Sequence, residues 1–408
     1  MIATGVVMGL AYKKEVTWGV DPSAGSAQLL RRVSSDLGLS KNTYQSKEIR
    51  TDYQLSDMRH GTRKVDGSIK GELSAGTWQD LMESVLRGTY AAGATSGAIT
   101  TVAATVAAPH FIRSGGSWLT DGFKNGDVVR CTGWATTGVP NNSRNYIITA
   151  LTALDMTVSD LNGVAGATGT VAAKAAGDSV TFTVVGQKLI VPSTGHTNDS
   201  YTIEHRYGDI TQYNRFNGCR VASVEVNLPA TGMAEITVAF MGKDMVNAGA
   251  AYFTSPTAIT TSGTLAAVNG KVRANGVEYG IITSLRFKID GNMSTGEVVG
   301  SNTTPDVFVG RVIVTGQASA YFQDMALFNA FINESLADIY AAFADGTSAT
   351  AEFLNFMLPK VKLGSYKLQD SEQGIIATFD FTALYQSAGG AGTDDDATTI
   401  AIQDSLAS

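Results

Sequence analysis

The side chains that most often carry chemistry are sparse in this sequence and poorly spaced for it. Four histidines, His60, His110, His196 and His205, stand apart, and none belongs to an H-E-x-x-H pair or sits beside a cysteine. Neither a zinc hydrolase centre nor a histidine-activated thiol is suggested. Cys131 and Cys219 lie 88 positions apart, too few and too distant for a disulfide framework or a clustered zinc site. They read as reduced core thiols of a protein that folds in the cytosol. No G-x-S-x-G elbow, G-x-x-x-x-G-K-S/T loop or strand-linked G-x-G-x-x-G is present, the arrangements that expose a nucleophile or cradle a phosphate. Asp394, Asp395 and Asp396 are consecutive, whereas hard-cation loops space their carboxylates around a turn. The run reads as a solvated acidic stretch. The expectation is a chain with no catalytic residues, no metal and no cofactor.

Composition points the same way. Of 408 residues, 44% are hydrophobic and 16% charged, 44 are glycine, and the net charge is −7. At roughly 150 residues per domain the length suggests two to three domains. A charged fraction below the usual ~25% excludes a disordered chain and predicts a surface partly covered by partners. The acidic balance argues against gripping nucleic acid by charge neutralisation. The apolar opening, Met1 to Ala11, precedes Lys13 and Lys14, the wrong order for a signal peptide. No apolar run reaches ~18 residues, so no membrane insertion is expected.

Residues 30–39 (LRRVSSDLGL) read as an early strand. In 40–72 the pattern changes: 12 of 33 residues are Lys, Arg, Asp or Glu, with both signs mixed and no apolar period. Two readings stay open, a solvated loop and a long arm that meets a neighbouring subunit through Arg and Tyr. SIKGELS alternates as a half-buried strand. Trp78, Leu81, Met82, Val85 and Leu86 follow at helical spacing, with Thr77 to cap and Gly88 to end a short amphipathic helix. Small, uncharged residues at 89–106 read as a linker. DVVRCTGW, NYIITAL and DMTVSDL then predict a small all-β module over about 107–182, which VAGATGTVAAKAAGD leaves. At 219–242 two alternating runs flank the turn PATG, a hairpin. Beyond a small-residue linker near 246–268 come strands LRFKID and RVIVTGQAS. YFQDMALFNAF reads as a helix with Phe322, Met325, Ala326 and Phe331 on one side, and SLADIYAAF as another. VKLGSYKLQ and GIIATFDFTALY make a closing hairpin. SAGGAGT is a hinge, and 391–408 a mobile or docking arm.

These elements recur in order. Ile69–Ser74 aligns with Val314–Ser319, matching Gly71 to Gly316, and Trp78-Gln79-Asp80-Leu81 with Phe322-Gln323-Asp324-Met325. Ile236, Val238 and Phe240 sit where Ala377, Phe379 and Phe381 sit. The order predicts a mainly β chain of two tandem sandwich or barrel domains, each with a flanking helix. The first covers 1–95 and 185–247 around an inserted β module at 96–184, and the second covers 248–390. Core anchors are expected at Trp78, Leu81, Phe240, Phe322 and Phe379. The charged arm corresponds to the nearly uncharged GNMSTGEVVGSNTTPDVFVG.

The stretch from Leu30 to Thr89, with Lys47-Glu48-Ile49-Arg50, Arg59-His60-Gly61-Thr62-Arg63 and Gly71-Glu72-Leu73-Ser74 before the helix, resembles the tail tube (major tail) proteins of long, non-contractile-tailed bacteriophages. NGCRVASVEVNLPATGMAEITVAFMGKD resembles that family's closing hairpin, and the insertion resembles the outer β modules of some members. The resemblance implies tail-tube-type β-sandwich domains whose sheets join side by side into rings, stacked into a hollow tube that carries DNA. A two-domain chain implies three copies per pseudo-hexameric ring, a departure from one domain per chain. The implied partners are further copies of the chain, tape-measure protein and viral DNA in the lumen, and tail terminator and distal tail proteins at the ends. The implied location is the virion tail, assembled in the bacterial cytoplasm. Contacts between subunits or stacked rings are expected at Tyr44, Lys47, Glu48, Arg50, Tyr53, Arg59, His60 and Arg63. The competing readings are a tail-associated adhesin whose β insertion contacts the host cell, and a β-rich hydrolase, for which no nucleophile–base pair is present.

Overall fold

Period-two alternation dominates the chain, and wherever one side of it is apolar the residues pair as strands. The computed structural model describes residues 2–106, 109–161, 171–274, 277–278, 281–323, 325–370 and 374–407; Asp324 and residues 164–170 of the stretch leaving the module lie outside them. The fold is mainly β. The first half contains β1 (Met8–Lys14), β2 (Ser34–Ser35), β3 (Gly38–Gln45), β4 (Met58–Glu72) and α1 (Gln79–Leu86). After the insertion come β5 (Gln187–Ile190), β6 (Tyr201–Tyr207), β7 (Gln212–Pro229), β8 (Glu235–Gly242) and β9 (Asp244–Ala248). Strand β7 serves two sheets. Its first part lies between β6 and β9, with β1 beyond β6. Its second part pairs with β8, then β4, then β2 and β3. A bulge at Ala222, between the pairs Val221–Phe240 and Ser223–Ala239, marks the change, since an extra residue bends and twists a strand.

The second half contains β10 (Gly270–Ala274), β11 (Ile282–Asp290), β12 (Ile313–Tyr321), α2 (Ala326–Ile332), β13 (Leu336–Ala344), β14 (Phe353–Gln369), β15 (Ile376–Ala383) and β16 (Ala401–Asp404). Its pairings follow the same plan: β10–β13–β14–β16, and β14–β15–β12–β11. The irregularities coincide too. The shift at Gly364, between Leu363–Phe381 and Ser365–Asp380, matches that at Ala222. The shift between Ala337–Val361 and Ile339–Leu358 matches the one between Tyr201–Cys219 and Ile203–Phe216. At β4 and β12 the residue match differs from the sequence alignment. Gly67 faces Phe240 as Gly316 faces Phe381, so Gly67, not Gly71, is the counterpart of Gly316. Gly71 has a separate cause: a Cβ there would lie 2.3 Å from the Trp78 ring.

Helix α1 buries Leu81, Met82, Val85 and Leu86 against the first-half sheets, each contributing about 1.5–3 kcal/mol. Thr77 is no cap; its hydroxyl bonds Ser74 (2.7 Å) and Thr260 (2.6 Å). Arg87, at φ 56°, closes the helix in place of Gly88. Further corrections follow from burial. Strand β13 replaces the helix expected at SLADIYAAF, because Ile339–Ala344 is buried on both faces, and such a strand shows no alternation. Tyr321 ends β12, so the helix starts only at Ala326. Residues 30–33 are a connection between strand Gly25–Leu29 and β2. The expected linker 89–106 already contains Thr95–Ile99 and Val102–Thr105, strands of a seven-stranded sheet that runs to Val184. That sheet encloses its own core of Phe111, Trp118, Tyr146 and Phe182.

The chain's last segment is no free arm. Strand β16 lies between β5 and β14 and is buried throughout. Gln403 accepts from Val128 N–H and donates to the carbonyls of Val128 and Val185, each at 2.8 Å. Asp396 is no solvated acid either: it pairs with Lys188 (2.5 Å), which also meets Asp127. Burial pushes the Asp127 carboxyl up to about 6, although Lys188 opposes the shift. Burial likewise raises Asp404 to about 6 against hydrogen bonds from Gly76 and Leu406.

Two outcomes are expected. Gln403→Leu strands the buried Val128 N–H and Val185 carbonyl, while the Val128 carbonyl keeps its bond from Val185 N–H, and should cost about 2–4 kcal/mol, read by thermal or denaturant unfolding of unassembled protein. Asp404 binds its proton more tightly folded than unfolded, so it favours folding at low pH and that advantage fades as pH rises from about 4 to 6. Wild type should therefore gain on Asp404→Asn by up to about 1.4 kcal/mol per unit as pH falls through that window. Parallel pH curves would remove Asp404 as the cause.

Candidate assembly interface

Most of the charged run pairs as a hairpin whose outer part is exposed on both faces. Strands β3 and β4 pair from Gly38–Asp66 out to Gln45–Met58, and Ser46 N–H to Asp57 O (2.9 Å) closes the tip. The tip, residues 47–57, is exposed throughout. Tyr44 crosses to the opposite strand, where a Cβ on Gly61 would lie 2.3 Å from its ring. The base of the hairpin rests on the second half. Arg63 N–H donates to Asn302 O (2.9 Å), Tyr44 OH donates to Glu297 (3.3 Å), and Asn42 also bonds Glu297. This buttress belongs to the 291–312 connection, which carries only the short pair Ser294–Thr295 and Val307–Phe308.

The residues singled out from the sequence divide along this hairpin. Lys47, Glu48, Arg50 and Tyr53 sit at the tip, and Arg59 and His60 on the outgoing strand, all exposed. Arg50 pairs with Asp52 (2.7 Å) and Arg59 with Asp57 (2.7 Å). The hydrogen-bonded Arg50–Asp52 pair holds the arginine up and the aspartate down from their ordinary values. Arg63 faces inward, paired with Asp244 of β9 at 2.7 Å. Sequence reasoning weighted the charges and passed over Ile49, Leu55 and Met58, which project into solvent with Tyr53, as does Val299 on the buttress. Their signal was available: apolar side chains inside a charged run with nothing of their own to cover them. Of the core anchors, Trp78, Leu81, Phe240 and Phe379 are buried. Phe322 is only half-buried, because β12 ends before it and α2 starts after it.

A second feature is the wall joining the halves. Strand β7 pairs antiparallel with β11, from Ser223–Asp290 to Pro229–Ser284. One sheet therefore runs β3–β4–β8–β7–β11–β12–β15–β14 through both halves. One face buries Val224, Val226, Phe287, Ile289 and Phe379. The other presents both signs of charge, with Arg286 near Glu225 (3.8 Å) and Asp380 taking hydrogen bonds from Gln317 (2.8 Å) and Ser365 (2.6 Å). Helix α1 packs on β7 and reaches β11, stapling the junction from the buried side.

Among the described residues, no group of three His, Cys, Asp or Glu is placed to hold a metal ion, and no helix is long and apolar enough to cross a membrane. Both cysteines are free and buried, and burial pushes the Cys131 thiol up to about 12. A family profile described as phage tail tube protein matches residues 5–383. No curated protein matches the chain.

Ile49→Ser with Tyr53→Ser, and separately Arg50→Glu with Arg59→Glu, should shorten assemblies seen by electron microscopy. The unfolding energy of unassembled protein should stay within about 0.5 kcal/mol of wild type, as for other exposed sites. Arg63→Ala should instead lower stability by about 1 kcal/mol through the lost Asp244 pair. Unchanged assembly length in both double variants would take the arm out of the interface.

Proposed function

The chain belongs to the phage tail tube protein family, and on that premise we propose that it self-assembles into stacked rings forming the hollow tube through which DNA passes. The observation carrying this reading is the β7–β11 ladder. Two halves with one strand plan already stand side by side as neighbouring staves of a wall, so each chain counts as a tandem duplication, and three chains make a pseudo-hexameric ring. Edge-to-edge addition of like units by a rotation that closes gives a ring and leaves no edge exposed. The mixed-charge face of the continuous sheet lines the channel. Its alternating signs give DNA no sustained grip, a more local device than a uniformly acidic wall. The arm β3–β4, with its apolar tip, reaches the next ring. The seven-stranded module points away from the lumen as decoration. Tape-measure protein and DNA occupy the lumen, and terminator and distal proteins meet the ends.

Purified protein at rising concentration should give rings and then hollow tubes by electron microscopy, with rotational averages showing a three-fold pattern of six similar lobes. Discrete monomers at every concentration, with no tube in virions containing this chain, would refute the reading. Deleting the module separates the adhesin alternative: intact tubes with lost adsorption would assign it a binding role on the same scaffold.

A further inference from the structure

We infer that the ring closes through one defined seam: residues 365–369 of β14 pair antiparallel with residues 36–40 of the next copy, Tyr366 facing Leu39 and Leu368 facing Leu37. The inference rests on the ring reading above and names the surfaces and register that complete it.

The template lies inside the chain. Ser365 and Ser223 each follow the bulge of their strand, opposite Asp380 and Ala239, so Tyr366 and Leu368 occupy the places of Val224 and Val226. On the other edge, Leu39 faces Val65 of β4 and Ile289 faces Val314 of β12. Val65 and Val314 are themselves matched through their partners Gly242 and Ala383. Leu39 therefore stands where Ile289 stands, and Leu37 where Phe287 stands. At the internal junction Val224 faces Ile289 and Val226 faces Phe287. Repeating that ladder with the unused edges fixes the seam, and a one-residue slip is excluded because it turns every apolar side chain to the polar face.

Three observations support the same partner. First, burial is incomplete on the β14 edge: Val226 is 0% exposed, whereas Leu368 is 48% exposed, while Leu37 on the other edge already lies in the core. Second, α1 buries its apolar side against β7, β5 and β11, but α2, packed on β14, leaves Phe328 and Ile332 38% and 59% exposed. By the same plan α2 crosses to the edge of the next copy at the connection before β2, where Val33 is exposed. Third, the charges are complementary with their signs exchanged. The internal pair is Glu225 on β7 with Arg286 on β11; the matching positions are Lys367 and Asp36. Asp36 is held below the ordinary carboxylate range by the backbone N–H of Ser68, so it offers Lys367 a full negative charge. Among the described residues, no strand of the chain itself pairs with the outer edges of 36–40 or 365–369.

The test uses the full chain. Leu39→Cys with Tyr366→Cys puts thiols on directly facing positions, whose Cβ atoms lie ~4.5–5.5 Å apart across a ladder. Mild oxidation or a short bifunctional thiol reagent, applied to assembled protein, should give a covalent ladder ending at three chains. Each single variant should give none, and Leu39→Cys with Lys367→Cys should give none because those side chains take opposite faces. Tubes that form normally but fail to link in the first variant, or that link better in the slipped one, overturn the seam and leave the tube reading intact; wild-type protein that never forms rings removes the tube reading itself. Should the cysteine variants fold poorly, exposed Lys367→Glu serves alone. It sets like charges against Asp36 and should raise the concentration needed for ring formation several-fold at low salt, with high salt restoring assembly. No shift with salt would overturn the pairing of Lys367 with Asp36.

Discussion

The constraint on which this structure depends is the hydrogen-bonding demand of a strand edge. A β-strand has two sides, and each side left open in a sheet exposes backbone donors and acceptors that will pair with whatever fits. Here the demand is met across the two halves where β7 accepts β11, and again where β16 lies between β5 and β14. The β7–β11 ladder makes one continuous wall of two halves that share a strand plan. It also gives the wall its two characters: an apolar side packed under α1 and a polar side of mixed charge.

The remaining elements serve that wall. The bulges at Ala222 and Gly364 let β7 and β14 leave one sheet and enter another, so the sheets of both halves fold over one shared apolar core. The seven-stranded module rests on β13 and β14 through the small apolar cluster of Val128, Ile147, Ala342 and Phe353. Gln403 and the Lys188 ion cluster lock it to the chain's last strand. Burial of these charges is costly unless each finds a partner, so the cluster fixes one docking geometry for the module. The arm stands outside this economy. Arg50–Asp52 and Arg59–Asp57 pair locally within it, and Ile49 and Tyr53 at its tip are fully exposed.

Legibility in the sequence followed burial geometry. Strands with one face in the core, such as Leu285–Phe287–Ile289 or Ile236–Val238–Phe240, announced themselves by alternation. Those buried on both faces did not: Ile339–Ala344 carries the same apolar run a buried helix would. The hairpin β3–β4 failed for the opposite reason, having no buried face over most of its length. Strand β16 was missed because four residues after a glycine-rich stretch carry no period, and only their neighbours β5 and β14 make them a strand. In the arm, charge drew attention to Arg63, which the fold turns inward to Asp244, and away from Ile49 and Leu55.

The amino-acid sequence by itself determined the class of fold, the strands with one buried face, the recurrence of their pattern, the helix that follows Trp78 and the absence of any familiar catalytic motif. These depend on local period and composition, which neighbours in the chain suffice to specify. The tertiary structure decided which edges are joined and which remain open, the four-residue displacement between Gly71 and Gly67 in the repeat, the burial of the last strand and the division of the arm's residues between inward and outward roles. Those depend on register and on what lies across a sheet, contacts between residues far apart in the chain whose geometry no local pattern encodes.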